Sequence, residues 1–299
     1  MLNHLLISDL GSQFLDERKS RNISPRTIKL YSVELKYFSN WLEENGYPNL
    51  NLNSLTPVIL RKWFLSLSTH RNKGGIHCNY RIIKTFLNWI VFEYDLDTWK
   101  NPIKKVYVEE NHTLPIPEIP ISHVQKLLSA SETGRNVLRD KAILKTLCDT
   151  AARGSELISM DLKDVDFKNG SVFLLTTKGD RPRVVYLGEK SLKSLKEYIS
   201  TRTDNNPALF LNDEGNRLQF EGLRMLINRL CRKAGIKIYG VHSFRRISAL
   251  TIYRKTKDIF FVSKYLGHSK IEVSLRYLNI GSEDMKSSFV NASPADLLD

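Results

Sequence analysis

The sequence predicts a mainly α-helical protein with a small β-sheet, built as a helical N-terminal domain followed by an α+β domain. Three observations carry this. Apolar residues recur at three- and four-residue spacing through most of the first hundred residues. Four prolines, Pro102, Pro115, Pro117 and Pro120, then crowd the stretch from Asn101 to Pro120, which cannot sustain a helix. Beyond it, a pair of apolar runs around a turn interrupts an otherwise helical second half.

In the N-terminal part, Ser24 can cap a helix with Pro25 in its first turn, and Ile28, Tyr31, Leu35, Phe38 and Leu42 continue it to near Gly46. Thr56-Pro57 repeats the signal before Val58, Leu60, Trp63, Phe64 and Leu67; another series runs through Ile82, Phe86, Trp89, Ile90 and Phe92. The prediction is a helical bundle over 1–105, an extended linker over 106–120 and a second domain with a C-terminal tail over 121–299. Arg71, Lys73, Arg81 and Lys84 could meet phosphates, although a solvated helix face explains any one of them as well.

In the second part, Ser122 is expected to cap a helix through Leu128, and another helix should span about 135–149. Ser171–Thr177, the turn Lys178-Gly179-Asp180 and Arg183–Leu187 read as a β-hairpin. Helices follow near 190–201, 220–234 and 243–255, with shorter ones beyond.

Charge narrows the partners. The 299 residues carry 45 Lys and Arg against 32 Asp and Glu, a net +13, and a sequence pI near 9.5. Up to Lys105 there are 15 basic and 9 acidic residues, so both parts are basic, as expected if both touch a polyanion such as DNA. A basic protein with a solvated face is the plain alternative. Cys78, Cys148 and Cys231 form no CxxC pair or metal-ligand spacing, so reduced, mostly packed thiols and a cytoplasmic setting are expected. No run resembles a signal peptide or membrane span.

Four short strings carry chemistry: Thr150-Ala151-Ala152-Arg153-Gly154-Ser155-Glu156-Leu157, Thr177-Lys178-Gly179, His242-Ser243-Phe244-Arg245, and Leu266-Gly267-His268 followed nine residues later by Tyr277. In this order they resemble the active-site signature of the tyrosine recombinases, the family of phage integrases and Xer proteins. The resemblance covers almost the whole chain, because the Ser-Pro-Arg-Thr and Leu-Thr-Pro helix starts also look like the SAM-like core-binding domain of Xer-like members. It therefore implies a core-binding domain followed by a tyrosine recombinase catalytic domain.

The residue types suit the chemistry that the resemblance implies. Substitution at phosphorus builds negative charge on nonbridging oxygens, which guanidinium groups meet with paired hydrogen bonds; Arg153 and Arg245 take that role. Lys178, in the hairpin turn, would protonate the departing 5′ oxygen. His242, at a helix start, would take part in proton transfer around the tyrosine, and His268 would hydrogen-bond the scissile phosphate. Tyr277 is the implied nucleophile, a phenol that needs cationic neighbours to react near neutral pH. Glu156 supports the site. Alone, each has an ordinary reading: surface arginines, a turn lysine, capping or packing histidines, a core tyrosine, a helix-surface ion pair.

The implied reaction is metal-free and cofactor-free transesterification through a 3′-phosphotyrosyl link, serving integration or excision of a mobile element or resolution of replicon dimers. Neither a P-loop nor a carboxylate cluster for two-metal cleavage is evident. The partners implied are double-stranded DNA with inverted-repeat sites and further copies of the chain, as a homotetramer on two sites. A different recombinase as partner stays open, and no membrane is involved. Phe289, Val290, Leu297 and Leu298 could anchor a tail in a neighbour. Ala151 replaces a glycine common in the family, and Arg246 stands where many Xer-like members have histidine. Two alternatives share the scaffold: a type IB topoisomerase-like enzyme and a noncatalytic DNA-binding regulator.

Overall fold

A computed structural model describes residues 5–109, 119–175, 182–268 and 270–278, with side chains through Leu275 in the last segment. The chain divides into two compact units, Met1–Leu114 and Pro115–Asp299. We propose that they correspond to the core-binding and catalytic domains expected from the sequence.

The first unit holds helices α1 (Ile7–Ser20), α2 (Pro25–Glu44), α3 (Pro57–Leu67) and α4 (Lys73–Glu93). Side-chain oxygens start three of them: Ser24 accepts from the Thr27 N–H, Thr56 from Ile59 and Asn72 from Gly75, each satisfying a donor that the first turn leaves open. The apolar stripes meet in one core that includes Leu10, Phe14, Leu35, Phe38, Leu60, Trp63, Phe86 and Ile90. Val58 and Phe92, part of the apolar series by spacing, point to solvent. A 3-10 turn, Pro102–Lys105, is started by Asn101, and Ile103 and Val106 are buried in the same core. The proline-bearing stretch is thus packed at its beginning, because Pro102 occupies the turn position where a missing N–H costs nothing.

A polar chain crosses this core. Trp63 Nε1 donates to Asn79 Oδ1 at 2.8 Å, and Asn79 Nδ2 donates to Glu34 Oε2, also at 2.8 Å. Arg71 Nη1 donates to the same oxygen at 2.7 Å, its guanidinium lying over the Tyr37 ring. Arg71, offered by the sequence as a phosphate contact, is committed here to Glu34, and Lys73 pairs with Glu109.

The second unit holds α5 (Ile121–Ser131), α6 (Val137–Thr150), α7 (Gly154–Ser159), a three-stranded antiparallel sheet, and then α8 (Glu189–Ser200), α9 (Phe220–Lys233), α10 (Val241–Thr256), α11 (Ile259–Leu266) and α12 (Ile271–Leu278). Ser122 does not cap α5. The helix enters from Pro120, whose extended backbone places its carbonyl under the His123 and Val124 N–H groups, so Ser122 already lies inside the helix.

The sheet runs β1 (Val165–Asp166), β2 (Ser171–Leu174), β3 (Arg183–Tyr186) in that order. The hairpin register pairs Ser171 with Tyr186 and Leu174 with Arg183. β1 is an addition too short to leave a periodic signal. Val172, Leu174 and Val185 face the core, while Phe173, Val184 and Tyr186 face solvent, the alternation that a half-buried sheet requires. Of the three cysteines, Cys78 is exposed rather than packed, and Cys231 is buried.

Candidate active site

The site forms where α6 gives way to α7. Thr150 ends α6, and Ala151 turns the chain in a left-handed conformation, φ 49° and ψ 26°. The family's usual glycine suits such a position, but alanine adopts it here while fully buried. The backbone extends again at Arg153, which precedes α7. One turn on, Glu156 reaches back: its Oε2 accepts from the Arg153 N–H at 2.7 Å and its Oε1 from Arg153 Nη1 at 2.9 Å.

Glu156 is buried, at 2% exposure, so it is no helix-surface ion pair. A second guanidinium explains how a charge survives there. Arg183, the first residue of β3, donates Nη1 to Oε1 and Nη2 to Oε2 of Glu156, both at 2.9 Å. Burial alone would raise the carboxyl pKa; the bonds and charge of Arg183, helped by Arg153, outweigh it and bring it down to about 2. The third donor of Arg183, Nε, reaches the Tyr265 carbonyl at 2.9 Å.

Arg183 was missed as a site residue, yet a signal existed. Residues 183, 185 and 187 share one strand face, and Val185 and Leu187 are core residues. An arginine in that register must be buried and therefore paired.

Arg245 lies in α10, fully buried. Its Nη1 donates to the Ala151 carbonyl at 2.6 Å and its Nη2 to the Leu266 carbonyl, joining the turn before Arg153 to the end of α11. That end is closed by Gly267, whose φ of +69° is the left-handed C-cap a glycine accepts freely. His268 follows. Its Nε2 lies 3.1 Å from Arg245 Nη2 and its Nδ1 lies 2.8 Å from the Ser274 hydroxyl on α12. Burial, then the charges of Arg245, Arg153 and Arg183, lower the His268 pKa to about 4.

His242 sits in the first turn of α10, exposed. Partial loss of water around its ring, and then the charges of Arg245 and Arg153, lower its pKa. The structure thus brings Arg153, Glu156, Arg245 and His268 together, with His242 close enough to feel both arginines. Tyr277 lies on α12, three residues beyond Ser274, while its side chain falls outside the described residues. Lys178 and the tail residues Phe289, Val290, Leu297 and Leu298 also lie outside them. Tyr265 is held otherwise: its hydroxyl donates to the Asp149 carbonyl at 2.7 Å, and burial pushes its pKa up to about 12. Among the described residues no His, Cys, Asp and Glu side chains group as a metal site, and no helix is long and apolar enough to cross a membrane.

An arginine just before α7 and another in α10, both acting on His268, a carboxylate that orients the first and a histidine that touches the second form a site suited to a phosphate undergoing substitution. Residues 119–283 match the phage integrase family, and the chain belongs to that family, the tyrosine recombinases, a class of site-specific DNA recombinases. Among curated proteins it is 26% identical to tyrosine recombinase XerC of Leptospira interrogans, over 96% of this chain and 94% of the relative. It is likewise 26% identical to XerC of Staphylococcus aureus, over 96% and 97%. Among solved structures, the Tn1549 transposon integrase in complex with a circular intermediate DNA superposes with a TM-score of 0.79 at 17% identity, over 97% of this chain and all of that one. XerH bound to a palindromic difH substrate gives 0.71 at 20%, over 96% and 85%. These superpositions share the fold.

Proposed function

We propose that this chain cuts and rejoins double-stranded DNA at specific inverted-repeat sites through a covalent link between Tyr277 and a 3′ phosphate. The Tyr277 oxygen attacks phosphorus, the bond to the 5′ oxygen breaks, and Lys178 gives that oxygen its proton. His242, whose pKa is lowered by loss of water around its ring and then by the charges of Arg245 and Arg153, accepts the phenol proton. Arg153 and Arg245 take up the charge on the nonbridging oxygens, with His268 as a further phosphate contact and Glu156 holding Arg153 in place. Attack by the 5′ hydroxyl of a partner strand reverses the step. No cofactor or metal enters the balance, and four copies would act on two sites.

The observation that carries this reading is the convergence of Arg153, Glu156, Arg245 and His268 at the junction of α6 with α7, α10 and α11. The names of its relatives, a XerC and a transposon integrase bound to a circular intermediate, support recombination as its use. A noncatalytic regulator would have no need of this constellation. The test is a suicide duplex taken from sequence flanking the gene. The wild type is expected to become covalently attached and Tyr277→Phe to bind without attachment. Attachment that persists in the variant would refute Tyr277 as nucleophile, and tight binding with no wild-type attachment would point to the regulator.

A further inference from the structure

Resting on that catalytic reading, we propose that Arg183 is a positioning residue that ties Glu156 to the turn carrying His268 and so fixes the Arg153 and His268 halves of the site in one geometry. No motif string includes it, and it lies outside the proposed phosphate contacts.

The argument is the use of its three nitrogens. Nη1 and Nη2 form a fork on Glu156 at 2.9 Å each, and Glu156 in turn holds both the backbone and the side chain of Arg153. Nε bonds the Tyr265 carbonyl at 2.9 Å, two residues before Gly267. The arginine stem is also seated on that glycine: a Cβ at position 267 would stand 2.9 Å from Arg183 Cδ and 3.1 Å from Nη1. A brace on the carboxylate alone would fix only the Arg153 side of the site. This one reaches two segments 27 and 82 residues away in sequence, each beside a residue assigned to the phosphate. As the first residue of β3, Arg183 also fixes the start of that strand. Lysine cannot replace it, since a single ammonium has no planar fork with a third donor set at an angle to it.

The experiment measures single-turnover attachment to the suicide duplex, DNA affinity and thermal midpoint on the full chain. The variants are Arg183→Lys, Arg183→Met, Glu156→Gln and the double variant Arg183→Met with Glu156→Gln. Arg183→Lys, whose ammonium still pairs with Glu156, should keep affinity within about twofold and lower the midpoint less than Arg183→Met does, while attachment slows about 10- to 100-fold, the scale of a misplacement near 1 Å. The double variant removes both buried charges, which guards against a single variant that fails to fold. It should attach no more slowly than Glu156→Gln alone, because both changes break one linkage. Wild-type attachment in Arg183→Lys would overturn the proposal, as would losses that multiply in the double variant or affinity and midpoint that fall in step with rate. Absence of Tyr277-dependent attachment in the wild type would instead fell the catalytic reading first, and this inference with it.

Discussion

Nη2 of Arg245 lies 3.1 Å from Nε2 of His268. A guanidinium can only donate, so Nε2 accepts and the proton of the neutral ring sits on Nδ1, from which it is given to the Ser274 hydroxyl at 2.8 Å. The lowering of the His268 pKa to about 4, by burial and then by Arg245, Arg153 and Arg183, against the opposing charge of Glu156, agrees with a neutral ring. The two proposed phosphate contacts are therefore bonded to one another.

This fixes a pH dependence. The folded pKa lies below the ordinary value of 6.5, so between those values the unfolded chain holds a proton that the folded chain refuses. The contribution of His268 to stability is constant above 6.5 and falls as pH drops from there toward 4. His242, lowered in the same direction, acts with the same sign. Urea unfolding of wild type and His268→Gln at pH 7.5 and pH 5 should show the larger loss in the wild type; equal losses would refute the assignment. A nitrogen-15 spectrum should show a nonprotonated Nε2 at neutral pH.

Ser274 has no place in the signature, yet it is fully buried and receives the His268 proton. Ser274→Ala should leave Nδ1–H without that acceptor, at a cost of about 1–3 kcal/mol in urea unfolding. The ring should also lose its preference for one tautomer, visible in the same nitrogen-15 spectrum. An unchanged spectrum would mean that Arg245 alone sets the ring.

Why some of this was legible and some not is clear from particular residues. The caps Ser24 and Thr56 announced α2 and α3 because capping is a local interaction. The hairpin was visible in its alternation, and Arg153, Glu156, Arg245 and His268 could be named from three of the four strings. Ser122 looked like a cap as Ser24 did, but Pro120 supplies the helix entry instead. Arg71 read as a free cation because its partner, Glu34, lies 37 residues away. Ser274 stayed hidden for the same reason, and the strand register of Arg183 shows only that it is buried and paired: its partners Glu156 and Tyr265, like the partner of Ser274 after α11, are brought to it by folding.

In the N-terminal unit, the buried polar chain makes its own prediction. Asn79 is completely buried between Trp63 Nε1 and Glu34 Oε2, while Glu34 retains Arg71 when Asn79 is lost. Asn79→Leu should therefore leave chiefly the indole N–H unpaired and destabilise by about 1–3 kcal/mol in urea unfolding. A change below about 0.5 kcal/mol, the scale of an ordinary surface substitution, would show that the indole finds another acceptor.

Gly267 joins two demands in one position. Its backbone is left-handed at φ +69°, and Arg183 occupies the space where a Cβ would go, 2.9 Å from its Cδ. Left-handed backbone costs an alanine about 1 kcal/mol, a cost that Ala151 already bears at the other end of Arg245. The second demand is specific, because Arg183 must also retreat, and retreat would loosen its fork on Glu156. Gly267→Ala should thus cost more than about 1 kcal/mol in unfolding and slow DNA attachment as Arg183→Lys does. If Gly267→Ala lost only the backbone cost and attached DNA at the wild-type rate, the stem of Arg183 would be shown to move without disturbing Arg153, and the close approach at this turn would be packing alone.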